Sequence, residues 1–437
     1  MIVIPAERQA HLDLLAGSFE QLSNQPWPVW HEPALAFLTD LGKALMKPAL
    51  AAKLPDVVTL AYWLRAANLQ QLKAKASADV RVGLGLVVHI CPANVPVNFA
   101  FSLAFALLAG NSSVLRLSSK PSPSTDLIVQ HIQQLLATPT HEALRSRLLL
   151  LRYAHDDVIT AALLAQADGR MIWGGDATIA HMRQFKTPSR SREVAFADRY
   201  SLALLSPTAV LALDDAGLAR LAQQLFNDVL LLDQAACSSP QLFVWLHAAA
   251  DSPSLDLQSP SPQTLVSHAA NPQTASEPSS AVAKAQQRLW PALAAVARDR
   301  SALSAIGQMN KWVDAFDAVL THPEIRQVHT EHGSAAGLLT RVALARLPDA
   351  PEQLRGYFGT LIEIELPSLA PLAAVVNERY QTLCYFGVEP LQLQQWLLAS
   401  QLRGIDRIVP VGNAIDMGLF WDGYDLLSSL SRVIEIR

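Results

Sequence analysis

HICPANVPVNFAFSLAFALLAGNSSVLRL, residues 89–117, sets the architecture. With GLGLVVHI (83–90) at its start, it reads as a buried strand, then a rigid turn at Pro92-Ala-Asn94-Val-Pro96. An apolar helix over 98–108 follows, then a Gly110-Asn111 stop and a second strand over 113–117. Strand, helix and strand in this order build a parallel sheet of the kind that binds nucleotides at strand ends. Gly83 and Gly85 do not make a dinucleotide fingerprint, because they precede the strand and position 88 is valine.

A second unit of the same kind follows, with strands over 147–153 and 171–173. Gly174-Gly175-Asp176 then leads into a helix from about residue 177. Glycines between a strand and a helix let backbone N–H groups approach a phosphate, and Asp176 suits an N-cap better than a phosphate contact. A tight turn without ligand fits the same residues. Lys186, Arg190 and Arg192 read as a solvated basic loop before the strand-like 201–205.

Beyond it, 218–232 carries apolar residues at helical spacing and QLFVWL (241–246) is rich in strand formers. DQAACSSPQ (233–241) therefore places Cys237 in a helix-to-strand turn among small residues that leave room for a substrate carbonyl. Alone, this loop suits a buried structural thiol better than a nucleophile, and the rest of the chain reverses that.

The 437 residues are 51% hydrophobic, enough for two domains. A net charge of −4 with both signs dispersed indicates neither a nucleic-acid groove nor a polybasic membrane patch. Three scattered cysteines (Cys91, Cys237, Cys384) make neither a disulfide framework nor a zinc spacing. The N-terminus lacks a signal-peptide pattern and the longest apolar run, 99–109, is too short to span a bilayer, so a cytoplasmic protein is expected. Residues 1–75 read as helical pieces broken by proline. Residues 249–283, dense in Ser, Pro, Ala and Gln, read as a mobile insertion without catalytic residues. A helix near 283–298, strands over 361–366, 381–386 and 407–410, and a helix over 391–402 complete the reading. His89 and His181 read as structural. His329 and His332 flank Glu331, too few ligands for a metal site. Trp173, Trp245 and Trp421 suit core better than an acyl tunnel.

Taken together, residues 89–117, the IWGGD turn (172–176), DQAACSSPQ and RIVPVGNAIDMGLFWDGYDL (407–426) resemble the acyl-CoA reductase family typified by LuxC, the fatty-acid reductase of bacterial luminescence. That family looks like a branch of the aldehyde dehydrogenase superfamily. The resemblance implies an α/β, aldehyde-dehydrogenase-like fold of two Rossmann-like parallel-sheet domains: cofactor-binding over 1–205, catalytic over 206–415, and a tail over 416–437. It implies Cys237 as nucleophile, with Asn94 and the Cys237 backbone N–H holding the oxyanion. Trp173, Gly174, Gly175 and Phe358 are the implied cofactor contacts. Where the superfamily carries a ribose-binding lysine and, three residues on, an acid, this chain has Arg116 and Ser119, followed by Lys120. Two cations without a carboxylate favour NADPH over NADH. The general-base glutamate of the superfamily is replaced by Ala195, with Asp198 nearby, and the ribose-binding glutamate before Phe358 by Gly356.

The expected reaction is reduction of an acyl thioester, acyl-CoA or acyl-protein, to an aldehyde through a Cys237 acyl-enzyme. Losing the base protects that thioester from water. Cys237 follows a helix C-terminus, whose dipole disfavours a thiolate, so backbone N–H groups or the nicotinamide charge must lower its pKa. The rivals are an aldehyde-oxidising dehydrogenase using Asp198 as base and a non-catalytic acyl-relay subunit of a synthetase complex. An acyl-protein synthetase partner and a homo-oligomer are further implications of the resemblance.

Overall fold

Leu86–Ile90 is buried at all five positions, a pattern that requires cover on both faces of its sheet. The computed structural model, which describes residues 2–47, 50, 53–246, 278–300, 305–330 and 337–437, supplies that cover. Among the described residues the chain opens with helices α1 (Ala6–Gln9), α2 (Glu32–Leu45), α3 (Pro55–Trp63) and α4 (Ala66–Lys75). The first sheet comprises β1 (Asp13–Ala16), β3 (Leu86–Ile90), β4 (Ser112–Leu117), β5 (Leu148–Arg152), β6 (Gly169–Trp173) and β7 (Arg192–Phe196). Their order is β1-β5-β4-β3-β6-β7, parallel except for β1. The intervening helices are α5 (Asn98–Leu108), α6 (Pro123–Ala137), α7 (Asp157–Leu164) and α8 (Asp176–Met182).

Side chains of β3 alternate between two helical layers. Leu86, Val88 and Ile90 share a core with Ile159 and Leu163 of α7 and Ile179 of α8. From the opposite face, His89 Nδ1 lies 2.7 Å from Ser102 Oγ of α5. The strand order reverses between β3 and β6, so their C-terminal ends form the switch point where open α/β sheets hold ligands.

The stop after α5 fixes where β4 begins. Asn111 N–H donates to Ala106 O and Gly110 N–H to Leu107 O, the paired bonds of a Schellman cap. Gly110 sits at φ 86°, where an added Cβ would lie 2.1 Å from Trp27 O. The Asn111 side chain then accepts from the N–H groups of Leu84 and Gly85 and donates to Ala106 O and Leu430 O.

The second sheet contains β8 (Tyr200–Leu205), β9 (Pro240–Leu246), β10 (Ile325–Thr330), β11 (Thr340–Leu344), β12 (Thr360–Leu366), β13 (Tyr380–Phe386) and β14 (Arg407–Pro410). Its order is β10-β11-β12-β9-β8-β13-β14, with only β10 antiparallel to its neighbour. Its helices are α9 (Pro207–Leu211), α10 (Asp215–Val229), α11 (Ser280–Arg300), α12 (Ala305–Thr321), α13 (Ala370–Val375) and α14 (Pro390–Ala399). Inside this unit Glu363 is buried, and one carboxylate oxygen accepts the indole N–H groups of Trp245 (3.0 Å) and Trp290 (2.8 Å). The other accepts from Arg341 at 3.1 Å. Burial pushes this carboxyl's pKa up, and these donors oppose the shift.

The compact units are Met1–Asp198 with Met417–Arg437, and Arg199–Asp416. This departs from the sequence expectation in two places. Tyr200–Leu205, assigned there to the first domain, is a central strand of the second sheet, hydrogen-bonded between β9 and β13. The C-terminal residues return to the first unit: β15 (Phe420–Trp421) and β16 (Tyr424–Asp425) pair with each other, α15 (Leu426–Ser429) follows, and β17 (Ser431–Val433) pairs with β2 (Arg81–Gly83). Arg192 is exposed but opens β7, and its guanidinium donates to the carbonyls of Ser428 and Ser431 at 3.1 and 2.6 Å, so it belongs to a strand and not to a loop. Gly175, not Asp176, is the N-cap of α8. Most of the insertion expected at 249–283 lies outside the described residues, and its last positions already belong to α11. No described helix is long and apolar enough to cross a membrane.

Asp228, next to last in α10, is buried and accepts the N–H groups of Gly412 (2.6 Å) and Ala414 (2.9 Å). Burial outweighs those bonds and raises its pKa to about 7. The folded chain thus keeps a proton that the unfolded chain has lost over roughly pH 4–7. Stability should therefore fall as pH rises through that interval, by at most about 4 kcal/mol from this group. Denaturant titrations of Asp228→Asn should show a flatter dependence between pH 5 and 8 than the native chain; an equally steep one would contradict this.

Candidate active site

The backbone of α10 ends at Val229 and turns sharply through two left-handed residues, Asp233 (φ 52°) and Gln234 (φ 57°). Strain of that kind survives only where neighbours over-determine it. Here Gln234 is 1% exposed and all four positions of its carboxamide are engaged. Nε2 donates to Pro240 O (3.0 Å) and Thr360 O (2.9 Å), while Oε1 accepts from the N–H groups of Gly359 (2.9 Å) and Thr360 (3.0 Å). Gln241 Oε1 adds a bond from Gly356 N–H at 2.9 Å, and Phe358 N–H donates to Asp233 O at 3.1 Å. The cysteine loop and residues 356–360 are thereby one hydrogen-bonded body. Ser201 Oγ, from β8, donates to Cys237 O at 2.7 Å and fixes the backbone at the thiol.

Of the three cysteines only Cys237 is partly exposed; Cys91 and Cys384 are buried. Burial pushes both of those thiols well above their ordinary range, where they are inert as nucleophiles. Phe358 (φ 57°) and Gly359 (φ 82°) are both left-handed, and Phe358 is half-buried beside the loop to which it is bonded.

In the first unit, the other candidates collect at the C-terminal ends of neighbouring parallel strands. Asn94 is exposed in the turn after β3; the N-cap of α5 is Val97, so Asn94 does not cap that helix. Arg116 near the end of β4 donates to Tyr153 O at 3.3 Å, and Ser119 and Lys120 beyond it are exposed. Gly174 and Gly175 follow β6, and a Cβ added at Gly175 would meet nothing within 4 Å. Trp173 is buried: its ring stacks on Phe196 at 3.9 Å and its N–H reaches Ser102 Oγ at 3.1 Å.

The model of the acyl-CoA reductase family typified by LuxC matches residues 29–251, just over half of the chain. The chain belongs to the LuxC acyl-CoA reductase family. It is therefore an oxidoreductase. Solved structures similar to it share its fold at low identity. An oxidoreductase from Marinobacter aquaeolei is 14% identical over 95% of this chain and 87% of its own, with a TM-score of 0.57. An NAD-dependent aldehyde dehydrogenase from Sinorhizobium meliloti is 14% identical over 91% and 78%, with a TM-score of 0.55. Thermus thermophilus 1-pyrroline-5-carboxylate dehydrogenase is 13% identical over 92% and 78%, with a TM-score of 0.54. No curated protein matches the chain in sequence.

The departures of this LuxC-family chain from the aldehyde dehydrogenase pattern have structural counterparts. A Cβ at Gly356 would lie 2.3 Å from Thr360 Cβ, so the missing glutamate has no room there. Ala195 is buried on β7, while Asp198 lies past the end of that strand and is exposed, away from the base position. His89 is fully buried, and burial lowers its pKa to about 3; His181 pairs with Asp157 at 3.0 Å on the surface. His329 lies on β10, whereas Glu331 and His332 fall outside the described residues. Among the described residues no cluster of three or more such ligands occurs. Trp245 and Trp421 are buried.

Sequence reasoning missed Gln234, Gln241 and Lys311. Lys311, on α12, is 1% exposed and donates to Leu338 O (2.9 Å) and Phe358 O (2.8 Å); burial lowers its pKa to about 8. It is the only cation in α12, and that is the sole signal the sequence offers. Gln234→Ala should cost at least about 2 kcal/mol, because two N–H groups and two carbonyls lose their partner. Faster amide exchange at Gly359 and Thr360 would accompany it. Unchanged stability would show that the clamp is not needed.

Proposed function

We propose that this chain reduces an acyl thioester to the aldehyde, with Cys237 as the nucleophile. The carrying observation is Cys237 itself: the one partly exposed thiol of a LuxC-family chain, in a loop held by Ser201 of β8 and by residues 356–360. Its thiolate attacks the carbonyl of an acyl-CoA or acyl-protein, the C–S bond to the donor breaks, and the donor thiol leaves, giving an acyl-Cys237 thioester. The Asn94 amide and the Cys237 N–H are assigned, on the family resemblance, to the developing oxyanion.

The residues at the strand ends of the first unit fit a nicotinamide dinucleotide phosphate. Gly175 leaves its backbone open to close approach, and Arg116 and Lys120 supply cations for a 2′-phosphate with no carboxylate at Ser119 to repel it. Bound there, NADPH supplies the hydride that takes the acyl group to the aldehyde level. Ala195 leaves water without a base, so the acyl-Cys237 bond lasts until reduction. On release of the aldehyde, Cys237 regains its electron pair.

NADPH absorbance followed with acyl-CoAs of graded length tests this. Acyl-CoA-dependent NADPH loss should yield aldehyde and free CoA, and Cys237→Ala should abolish it. Acid as product would favour the aldehyde-oxidising reading, and a single burst of CoA without NADPH loss the acyl relay; either overturns the reductase. Asn94→Ala should lower kcat by roughly 10²- to 10³-fold. Lys120→Ala should raise KM for NADPH about tenfold with little change for NADH; equal effects on the two would remove the 2′-phosphate assignment.

A further inference from the structure

Phe358 is an aromatic residue in the left-handed region, at φ 57°, a conformation that persists only where its neighbours over-determine it. Both peptide groups that flank it are held. On one side Tyr357 O accepts from Thr360 Oγ1 at 3.0 Å, and Phe358 N–H donates to Asp233 O at 3.1 Å. On the other, Gly359 N–H donates to Gln234 Oε1 at 2.9 Å, and Phe358 O accepts from Lys311 Nζ at 2.8 Å. The same ammonium donates to Leu338 O at 2.9 Å, and that carbonyl lies against Gly359, where an added Cβ would come within 2.6 Å of it. Of the four bonds around Phe358, the one from Lys311 alone is made by a side chain of a separate helix, α12. Lys311 is 1% exposed, and burial lowers its pKa to about 8, so the group is charged at pH 7. A methionine of similar length would fill this space without the cost of burying an ammonium. What the lysine adds is its hold on the two carbonyls.

We infer that Lys311 is a positioning residue for the reduction step, fixing the Phe358 carbonyl so that the half-buried Phe358 ring keeps the setting in which it meets the nicotinamide cofactor. Lys311 has that role only if the chain is the thioester reductase proposed above, with Phe358 as a cofactor contact. Its hold divides the two half-reactions. Transfer of the acyl group to Cys237, with loss of the donor thiol, needs the cysteine loop in place. The bonds that hold this loop, from Ser201 Oγ to Cys237 O and from Gln234 Nε2 to Pro240 O and Thr360 O, do not pass through Lys311. Hydride transfer from NADPH to the acyl carbon, after which the carbon–sulfur bond breaks and Cys237 regains its electron pair, needs the Phe358 ring in place as well. Without the ammonium, Phe358 O loses its bond, the left-handed turn relaxes and the ring moves with it.

Single-turnover measurements on the full chain at pH 7 separate the halves. With acyl-CoA and no NADPH, Lys311→Met should release CoA in a burst within about twofold of the native rate and amplitude. When NADPH is then added, aldehyde formation should slow by roughly 10- to 100-fold, and the NADPH concentration for half-maximal rate should rise. Phe358→Gly, which accepts the left-handed turn without strain, should show the same split. Added to Phe358→Gly, Lys311→Met should slow hydride transfer by no more than about twofold further, because it acts through Phe358. In the cofactor-free protein, Lys311→Met should speed amide exchange at Phe358 and Gly359 by about tenfold, a readout independent of turnover. Lys311→Arg, which keeps a charged donor, should show a smaller deficit confined to the same step, and it decides the matter if Lys311→Met does not fold. A native chain that releases no CoA and oxidises no NADPH removes the reductase reading, and the role of Lys311 with it. In a working native chain, a Lys311 variant that slows both halves alike or neither, two substitutions whose effects multiply, or unchanged amide exchange at Phe358 overturns the role of Lys311 alone.

Discussion

The carboxamide of Gln234 is the interaction on which the proposed catalytic loop depends. Residues 235–239 are small and offer little side-chain packing of their own, so hydrophobic contacts cannot hold them. Polar bonds do so instead. A buried group with four satisfied bonds resists displacement because moving it strands donors and acceptors from two segments, Pro240 and Gly359–Thr360, at once. The left-handed turn at Asp233 and Gln234, unfavourable in isolation, is the geometry that delivers the carboxamide to that place. Lys311 extends the same network to Phe358 O from the far side.

This explains how much the sequence could disclose. The strand, turn, helix and strand of 83–117 were legible because burial, glycine chemistry and periodicity agree there; even the Gly110-Asn111 stop is a cap with both expected bonds. Cys237 could be placed in a helix-to-strand turn for the same reason. What holds it could not, since a glutamine has no pattern that announces a partner more than 100 residues away. Tyr200–Leu205 is buried at all six positions, and a strand without alternation does not reveal which of two sheets it joins. Helix α12 and strands β10 and β11 escaped notice for a different reason. The inward side of α12 is Gly307, Lys311 and Ala315, so its apolar periodicity points away from the core, and IRQVHT in β10 is mostly polar.

The chemistry proposed at Cys237 is shaped by what the chain lacks as much as by what it has. In a site that must keep a thioester until hydride arrives, a carboxylate poised over water would be a defect. Ala195, buried on β7, and Gly356, against Thr360, stand where the resemblance places the two superfamily glutamates, and at Gly356 the surrounding atoms leave no space for one. Cys91 and Cys384, held neutral by burial, do not compete for an acyl group.

The central claim is that Cys237 carries the acyl group. Its most direct test is to mix the protein with an acyl-CoA in the absence of NADPH, quench in acid and map the acylated peptide by mass spectrometry. The account predicts one acyl group per chain, on the peptide containing Cys237, discharged as aldehyde when NADPH is added. Acylation at Cys91 or Cys384, or reduction of the acyl-CoA without acylation at Cys237, would contradict it.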